Sequence, residues 1–259
     1  MYVHETGTPN APSVIFLHGI GTSSWMWWLQ TEALTHFHCI TIDLPGHGKS
    51  NHIAWESLAD TANRIAKVIK ERATNNQAHV VGLSLGGYIA LVMLQHHANM
   101  LNRVIISGVT IDPMPNRSLL NPQLWLLSFL FQRRWFLNMQ ARALHLPSSA
   151  EIAFIENLQA MSMKTYRKIA EEVVDFRIPS SLSQVNNPTL VVAGGNESKI
   201  IIQSVYGIPK IMPNAQGWFA PQLGHGWNVE SPTLFNAMVQ AWVNDNPLPV
   251  QLQATHHKQ

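Results

Sequence analysis

Cysteine is nearly missing from this chain, since Cys39 is the only one among 259 residues. A single cysteine cannot form an intrachain disulfide, and a chain without disulfides is typical of a reducing compartment. The first residues, Met1 to Gly7, also lack the basic segment and the following apolar run of a secretory signal peptide. These two features predict a cytoplasmic protein.

Charge of either sign is scarce as well. Charged residues make up 12% of the chain, and the net charge is only +2 with the histidines neutral. So low a charge, with no Lys/Arg-rich run, gives no support for nucleic acid or an anionic membrane as a partner. The 46% hydrophobic content argues against disorder. We expect a folded protein with exposed apolar area, such as a lipophilic pocket or a contact face.

Long hydrophobic runs and the common cofactor motifs are also absent. The longest apolar run, around 124–131, is too short to span a bilayer. No H-E-x-x-H occurs, and one cysteine cannot build a cysteine-rich zinc site. Gly48-Lys49-Ser50 ends like a P-loop, but Asp43 stands where that loop needs glycine, and Gly19-Ile20-Gly21 is followed by Ser24 instead of a third glycine. We therefore expect no membrane span, no metal and no cofactor.

What the chain does contain is a regular alternation of short apolar runs and amphipathic segments. Each run has the length and composition of a strand that is buried on both faces of a parallel sheet. The predicted strands are Ser13–Leu17, Phe37–Asp43, His79–Leu83, Arg103–Gly108, Pro188–Gly195 and Ala215–Ala220. Helical patterns between them predict right-handed βαβ units, and so an α/β fold with a mostly parallel sheet flanked by helices.

The alternation stops between residues 111 and 185. No buried strand is recognisable there, and prolines separate three helix-like segments. These segments are 122–144, 148–163 and 164–177. We interpret 111–185 as a helical cap inserted into a core domain of residues 1–110 and 186–259. The tail from Asn244 onward contains proline and glutamine, and we expect it to fray.

The stretch from His79 to Ala90 has the pattern of a nucleophile elbow. An apolar strand runs into Gly82-Leu83-Ser84-Leu85-Gly86, which fits G-x-S-x-G, and an apolar helix follows. Glycine two residues before and after the serine suits a sharp strand-to-helix turn, where bulk would collide with the backbone. The N-terminus of the helix points its free N–H groups at the site, which favours a developing negative charge. Ser84 is therefore predicted to be a nucleophile.

A serine hydroxyl needs a base within hydrogen-bond reach, and the base needs an orienting acid. His225 lies in a Gly-His-Gly loop after a predicted strand, where the flanking glycines let the imidazole reach into a cleft. Glu197 follows the apolar run 190–193, at the carboxyl edge of the sheet, where open α/β folds place their sites.

In order and spacing, these motifs resemble those of the α/β-hydrolase fold over nearly the whole chain. They are His18-Gly19 after the first apolar strand, the loop Asp43–Ser50, the elbow around Ser84, and Gly224-His225. The resemblance implies the chain order serine, acid, histidine. It also implies that the backbone N–H groups of Ile20 and Leu85 form an oxyanion hole. The usual acid of the family is Asp, whereas this chain has Gly195-Asn196-Glu197 at the aligned position. Asp112, just after the strand that ends at Gly108, is the alternative acid, because some relatives place the acid there.

The resemblance and the apolar cap indicate a carboxylesterase-like serine hydrolase (EC 3.1.1) that cleaves an ester, or a similar acyl bond, of a small lipophilic substrate. Ser84 would attack, His225 would relay the proton, and the acid would orient His225. Three tryptophans are candidates for substrate contacts: Trp25, Trp125 and Trp227. We interpret His18, His47 and Asp43 as scaffolding of the loops, and we expect a monomer or a homodimer.

Two other functions remain open on the sequence. The segment 40–50 is similar to that of 2-succinyl-6-hydroxy-2,4-cyclohexadiene-1-carboxylate synthase, in which the triad abstracts a proton and arginines bind carboxylates. That lyase, or a carbon–carbon bond hydrolase, is the first alternative, although the synthase family usually has Arg where this chain has Tyr88. A slow-turnover ligand-binding sensor is the second, supported only by the low surface charge. Haloalkane dehalogenases and epoxide hydrolases need Asp where Ser84 stands.

Overall fold

A sheet of eight strands forms the centre of the structure, a computed structural model that describes residues 1–113, 133–143 and 148–255. The strands are β1 (Val3–Gly7), β2 (Ser13–Leu17), β3 (His38–Ile42), β4 (Ala78–Leu83), β5 (Leu101–Ser107), β6 (Thr189–Gly194), β7 (Ala215–Ala220) and β8 (Gln253–Ala254). Their order across the sheet is β1-β3-β2-β4-β5-β6-β7-β8. The six central strands are parallel, and only β1 and β8 at the edges are antiparallel to their neighbours. The predicted mostly parallel sheet is confirmed.

Helices connect the strands and cover the sheet. Their bounds are α1 (Trp28–Ala33), α2 (Leu58–Arg72), α3 (Leu85–His97), α4 (Arg134–Ala143), α5 (Ser148–Ala160), α6 (Met163–Val174), α7 (Lys199–Ile211), α8 (Trp227–Glu230) and α9 (Pro232–Val243). The hydroxyl of Ser57 caps α2 by accepting the N–H of Asp60 at 3.0 Å. Within the described ranges, no helix combines the length and the apolarity needed to cross a membrane.

Alternating side chains of the strands build two apolar cores, one on each face of the sheet. In β2, Ile15 and Leu17 belong to the core that α2 and α3 cover, whereas Val14 and Phe16 belong to the other. Every residue of β2, β3, β4 and β6 is buried, as the continuous apolar runs predict. The carboxyl ends of these buried strands are therefore fixed points on which loops can carry a site.

Both edge strands differ from the sequence-based expectation. β1 contains both partly buried and exposed residues and has no apolar run to mark it. β8 lies in the tail that was expected to fray, and that prediction is wrong for residues 252–255. Leu252 is buried, and Thr255 donates its N–H at 2.8 Å and its hydroxyl at 3.0 Å to the carbonyl of Gly217. The open edge of β7 supplies these partners, which a local sequence pattern does not report.

Helices α4 to α6 lie between β5 and β6, in the part of the chain interpreted as a cap. Helices α4 and α5 share a small apolar core made of Leu137, Ala141, Phe154, Ile155 and Leu158. Glu172 ties α6 to the sheet domain, because its carboxylate accepts the indole N–H of Trp55 at 3.1 Å and the N–H of Leu58 at 2.8 Å. Much of the predicted segment 122–144 falls outside the described residues, and the cap boundaries at 111 and 185 stay a prediction.

Burial lowers the pKa of the histidines His18, His47 and His79. The rings of His18 and His47 lie 4.9 Å apart, and desolvation lowers the pKa of His18 to about 4 and that of His47 to about 3. The Nε2 atom of His18 accepts the N–H of Leu44 at 3.0 Å, which leaves the proton on Nδ1. Burial, together with the nearby charge of Arg103, lowers the pKa of His79 to about 4.

As the pH is lowered from about 7 to about 5, the free energy of unfolding is predicted to decrease. This pH range lies above the one in which exposed carboxylates titrate. An unfolded histidine has a pKa near 6.5. Below that pH, the unfolded chain binds protons that His18, His47 and His79 do not bind in the folded state, and this linkage favours unfolding. Urea unfolding at several pH values measures the slope. His79→Gln, which removes one of the three groups, should flatten it, and an equally steep slope in that variant would contradict the role of His79.

Candidate active site

Ser84 occupies the turn between β4 and α3 in a conformation that non-glycine residues rarely adopt, with φ 55° and ψ −117°. Its N–H donates to the carbonyl of Ser107 on the neighbouring strand β5 at 2.8 Å. Its own carbonyl accepts the N–H groups of Gly87 at 2.8 Å and Tyr88 at 3.2 Å. These bonds hold a sharp strand-to-helix turn whose serine lines a cavity. Strain of this kind persists only where the surrounding structure enforces it.

Glycine is required on both sides of Ser84 because backbone atoms approach each other closely there. A Cβ atom on Gly82 would collide with the carbonyl oxygen of Gly86, and a Cβ atom on Gly86 would collide with the carbonyl oxygen of Leu17. Any side chain at either position would push α3 away from β2 and β4. The G-x-S-x-G pattern therefore has a direct steric cause in this chain.

Two backbone N–H groups beside Ser84 have no acceptor within the described part of the chain. They belong to Ile20, in the loop after β2, and to Leu85, the first residue of α3. The N–H of Gly86 donates to the carbonyl of His18 at 3.1 Å and so ties that loop to the start of α3. The helix N-terminus adds partial positive charge. Together these groups are able to stabilise negative charge on an oxygen bound next to Ser84.

His225 and Glu197 form a hydrogen-bonded pair beyond the carboxyl ends of β7 and β6. The Nδ1 atom of His225 lies 2.9 Å from Oε2 of Glu197, whose side chain is only 3% exposed. The N–H of Asn196 donates to the carbonyl of Leu223 at 3.0 Å, which joins the two loops. His225 lines the same cavity as Ser84. No hydrogen bond joins their side chains among the described residues, and such contacts often tighten only during the reaction.

Asp112, the alternative acid, lies elsewhere. It is exposed and borders a separate small pocket together with Ile200 and Ser204. The Nδ1 atom of His225 is already bonded to Glu197. Of the two acids considered, the structure therefore brings Glu197 to the histidine.

The end of β5 sets the spacing between the serine and the histidine pair. Gly108, which follows β5, has φ +71°, and a Cβ atom on it would lie 2.6 Å from Cε1 and 2.9 Å from Nδ1 of His225. The preceding residue, Ser107, holds the N–H of Ser84. The end of β5 thus contacts both Ser84 and His225. At position 108, only glycine leaves room for the imidazole.

Trp227 does not contact the cavity, and its prediction as a substrate-binding residue is wrong. The side chain is fully buried, and its indole N–H donates to the hydroxyl of Ser107 at 3.1 Å. Its ring packs against Phe235 with 4.5 Å between the ring centroids. Proximity to His225 in the sequence did not reveal that the ring points into the core. Through its hydrogen bond to Ser107, Trp227 instead anchors to β5 the loop in which His225 lies.

A cavity of about 150 Å³ opens in front of Ser84. The described residues that line it are Gly19, Ile20, Thr22, Trp25, Met26, Leu83, Ser84, Phe154, Leu158, Tyr166, His225, Gly226, Asn228 and Val229. This lining is mostly apolar and includes no Lys or Arg. Trp25 is part of it, whereas Trp125 lies outside the described residues. Burial raises the pKa of Tyr166 to about 12, so its phenol is neutral at physiological pH.

Several lining residues were not assigned by the sequence analysis. Phe154 and Leu158 come from α5, one helical turn apart, and Asn228 comes from α8. The side-chain amide of Asn228 donates to the carbonyl of Met26 at 3.1 Å. Helical spacing places Phe154 and Leu158 on one face, but it does not show that this face meets Ser84. Asn228 has no local sequence signal.

Asp43 and the buried histidines support the loops around the cavity, in agreement with their interpretation as scaffolding. Oδ1 of Asp43 accepts the N–H of Ser24 at 2.7 Å, and Oδ2 accepts the N–H of Lys49 at 2.8 Å. His18 holds the N–H of Leu44, which follows Asp43 in the chain. Across the residues that the structure describes, no three His, Cys, Asp or Glu side chains come together as they would around a metal ion.

Known proteins are similar to this chain over most of its length. A family model described as the alpha/beta hydrolase family covers residues 14–238. A protein of Gibberella zeae named AB hydrolase superfamily protein is 29% identical over 256 residues, which are 95% of this chain and 85% of that protein. A thermophilic esterase from Thermogutta terrifontis, solved with malate bound, aligns with a TM-score of 0.78 at 19% identity and covers 94% of this chain and 93% of its own. That structural likeness shows the fold alone.

Two shorter matches of higher identity carry the names of different reactions. A Haemophilus influenzae protein provisionally named 2-succinyl-6-hydroxy-2,4-cyclohexadiene-1-carboxylate synthase is 36% identical over 102 residues, 38% of this chain and 41% of that protein. A pimeloyl-[acyl-carrier protein] methyl ester esterase of Vibrio vulnificus is 38% identical over 104 residues, 40% of this chain and 39% of the relative. The two matches are similar in identity, and each covers less than half of both chains, so they do not separate the two reactions.

Gly108→Ala is predicted to slow the reaction of Ser84 with a fluorophosphonate probe by about tenfold or more, because the new Cβ would displace the imidazole of His225. The positive φ adds a strain of about 1 kcal/mol to the same variant. Intact-mass measurements over time give the labelling rate. Gly207→Ala is the matched control, since its Cβ would meet only the flexible end of Ile111. A folded Gly108→Ala variant that labels at the wild-type rate would show that the spacing role is wrong.

Proposed function

The chain belongs to the alpha/beta hydrolase family, and on that premise we propose that it is a serine hydrolase that cleaves an ester of a small lipophilic substrate. One observation carries the proposal. Ser84, at the strained elbow, lines the same cavity as His225, whose Nδ1 is held by the buried carboxylate of Glu197. A nucleophile, a base and an orienting acid are the three groups that acyl transfer needs.

In the proposed reaction, the hydroxyl of Ser84 attacks the ester carbonyl while Nε2 of His225 takes its proton. The carbonyl oxygen becomes an oxyanion that accepts hydrogen bonds from the N–H groups of Ile20 and Leu85. His225 then gives the proton to the departing alcohol, which leaves an acyl group on Ser84. Water, deprotonated by His225, releases the acid and restores the serine. Throughout, the bond between Glu197 and Nδ1 fixes the tautomer and stabilises the imidazolium.

The cavity supports a small, lipophilic substrate. Its walls bring together Trp25, Met26, Phe154, Leu158 and other apolar side chains in about 150 Å³. A space of this size admits an aromatic ring or a short alkyl chain. Helices α5 and α6 contribute part of the wall, and we propose that α4 to α6 act as the cap that keeps water from the acyl group.

The lyase reaction is the second candidate, because the Haemophilus influenzae match carries that name. A polycarboxylate substrate needs cationic side chains, and no Lys or Arg lines the described part of the cavity. Tyr88 stands where the synthase family usually has Arg. Its hydroxyl accepts the N–H of Thr110 at 2.9 Å and its ring packs on Phe176, so it lies in the core instead of the cavity. Ester hydrolysis is therefore the better supported function.

Ser84→Ala is predicted to lower the hydrolysis of p-nitrophenyl acetate and butyrate by about a thousandfold or more, because the attacking oxygen is removed. Release of p-nitrophenol measures the rate, and the same variant should lose its labelling by a fluorophosphonate. Wild-type protein that is labelled at Ser84 but turns over no ester would instead favour the lyase, which can be assayed with a polycarboxylate substrate. Wild-type protein that is neither labelled nor active would favour the ligand-binding sensor.

Glu197→Gln is predicted to lower kcat by about a hundredfold or more with little change in KM, because a neutral amide no longer stabilises the imidazolium. Asp112→Asn is the matched control, since it makes the same change of a carboxylate to an amide on an exposed side chain. Its steady-state rates should stay within about twofold of the wild type. A large loss of kcat in Asp112→Asn, with no loss in Glu197→Gln, would instead show that Asp112 is the acid.

A further inference from the structure

Trp25 forms a wall between the cavity of Ser84 and a second pocket. This second pocket has a volume of about 440 Å³ and is bordered by Trp25 together with Tyr2, Trp28, Thr31, Lys49 and Asn157, among others. Trp25 also lines the cavity of Ser84, whereas Trp28 borders only the second pocket. The indole of Trp25 thus lines both the cavity of Ser84 and the second pocket.

Helix α5 contributes to the same wall. Phe154 and Leu158 line the cavity of Ser84, while Asn157, on the same turn, borders the second pocket. The two spaces are therefore neighbours along α5 as well as across Trp25. Trp25 packs against the small core of the cap helices, which includes Phe154 and Leu158. Packing, and not hydrogen bonding, holds the indole in place, because its N–H has no hydrogen-bond partner in the described part of the chain.

We propose that Trp25 is a specificity-determining residue, which limits substrates to acyl groups that fit in front of Ser84 by closing the way to the second pocket. The proposal rests on the ester-hydrolase function proposed above. Its physical basis is excluded volume: an acyl chain longer than the cavity would have to displace the indole and its contacts with α5. Without the indole, the end of such a chain would enter the second pocket.

The second pocket suits the far end of an acyl chain. The rings of Tyr2 and Trp28 offer apolar contact, and the hydroxyl of Thr31 and the ammonium group of Lys49 offer polar contact. The Nζ atom of Lys49 lies 4.3 Å from the ring centroid of Tyr2 and donates to its hydroxyl at 3.2 Å. A chain that passed Trp25 would therefore lie along these rings, and its end could remain in contact with water or with Lys49.

The test compares kcat/KM for p-nitrophenyl acetate, butyrate and octanoate in four proteins: wild type, Trp25→Ala, Trp25→Phe and Trp28→Ala. The wild type is expected to prefer the short esters. In Trp25→Ala, the ratio of octanoate to acetate should rise by about tenfold or more, the range that several buried methylenes produce. Trp25→Phe keeps most of the wall and should change the ratio little. Trp28→Ala removes an indole of the same size that borders only the second pocket, and it should leave the preference for short esters unchanged.

An unchanged ratio in Trp25→Ala, or an equal loss on all three esters, would overturn the proposal, because the indole would then have only a structural role. Circular dichroism and thermal unfolding establish that each variant is folded. If Trp25→Ala does not fold, Trp25→Leu decides the question, since a smaller opening should give a smaller rise in the same ratio. Failure of the ester-hydrolase function is a different result, because the wild type itself would then cleave none of the esters.

Discussion

The hydrogen bond from the N–H of Ser84 to the carbonyl of Ser107 is the contact on which the site depends. It holds a non-glycine residue at φ 55°, a conformation that costs about 1–3 kcal/mol. The cost is offset by burial on both sides of the turn, since all of β4 and the first ten residues of α3 are buried. The elbow is thus strained at one residue and supported by a buried apolar strand and helix.

The strand that accepts this hydrogen bond also positions His225, the base in the proposed reaction. Ser107 accepts the N–H of Ser84 with its carbonyl and the indole N–H of Trp227 with its hydroxyl. Gly108 leaves room for the imidazole of His225. The loops that carry Glu197 and His225 come from later parts of the chain, but both side chains lie next to Gly108 at the end of β5. The order of parts in a parallel sheet makes this possible, because β4, β5 and β6 are neighbours that end at one edge.

The sequence predicted those parts of the site that are encoded locally. The glycines around Ser84 and His225 and the acid after an apolar strand are short-range patterns with steric or topological causes, and the structure brings all three side chains to one place. The direction of Trp227 and the contribution of Asn228 depend on contacts with residues more than 100 positions away in the chain. The edge strand β8 depends on the open side of β7. Such contacts leave no periodicity, so the sequence analysis was wrong or silent about them.

The family includes more than one reaction, and the described lining of the cavity favours the ester hydrolysis that we propose. Apolar walls lower the local dielectric constant, which strengthens the hydrogen bonds that the N–H groups of Ile20 and Leu85 can offer to an oxyanion. The described part of the same lining includes no Lys or Arg that could meet the carboxylates of a polycarboxylate substrate. Such walls favour a reaction in which charge appears only briefly, on one oxygen, over a substrate that carries permanent charge. The small number of charged residues in the chain is therefore consistent with the acyl transfer between neutral groups that we propose.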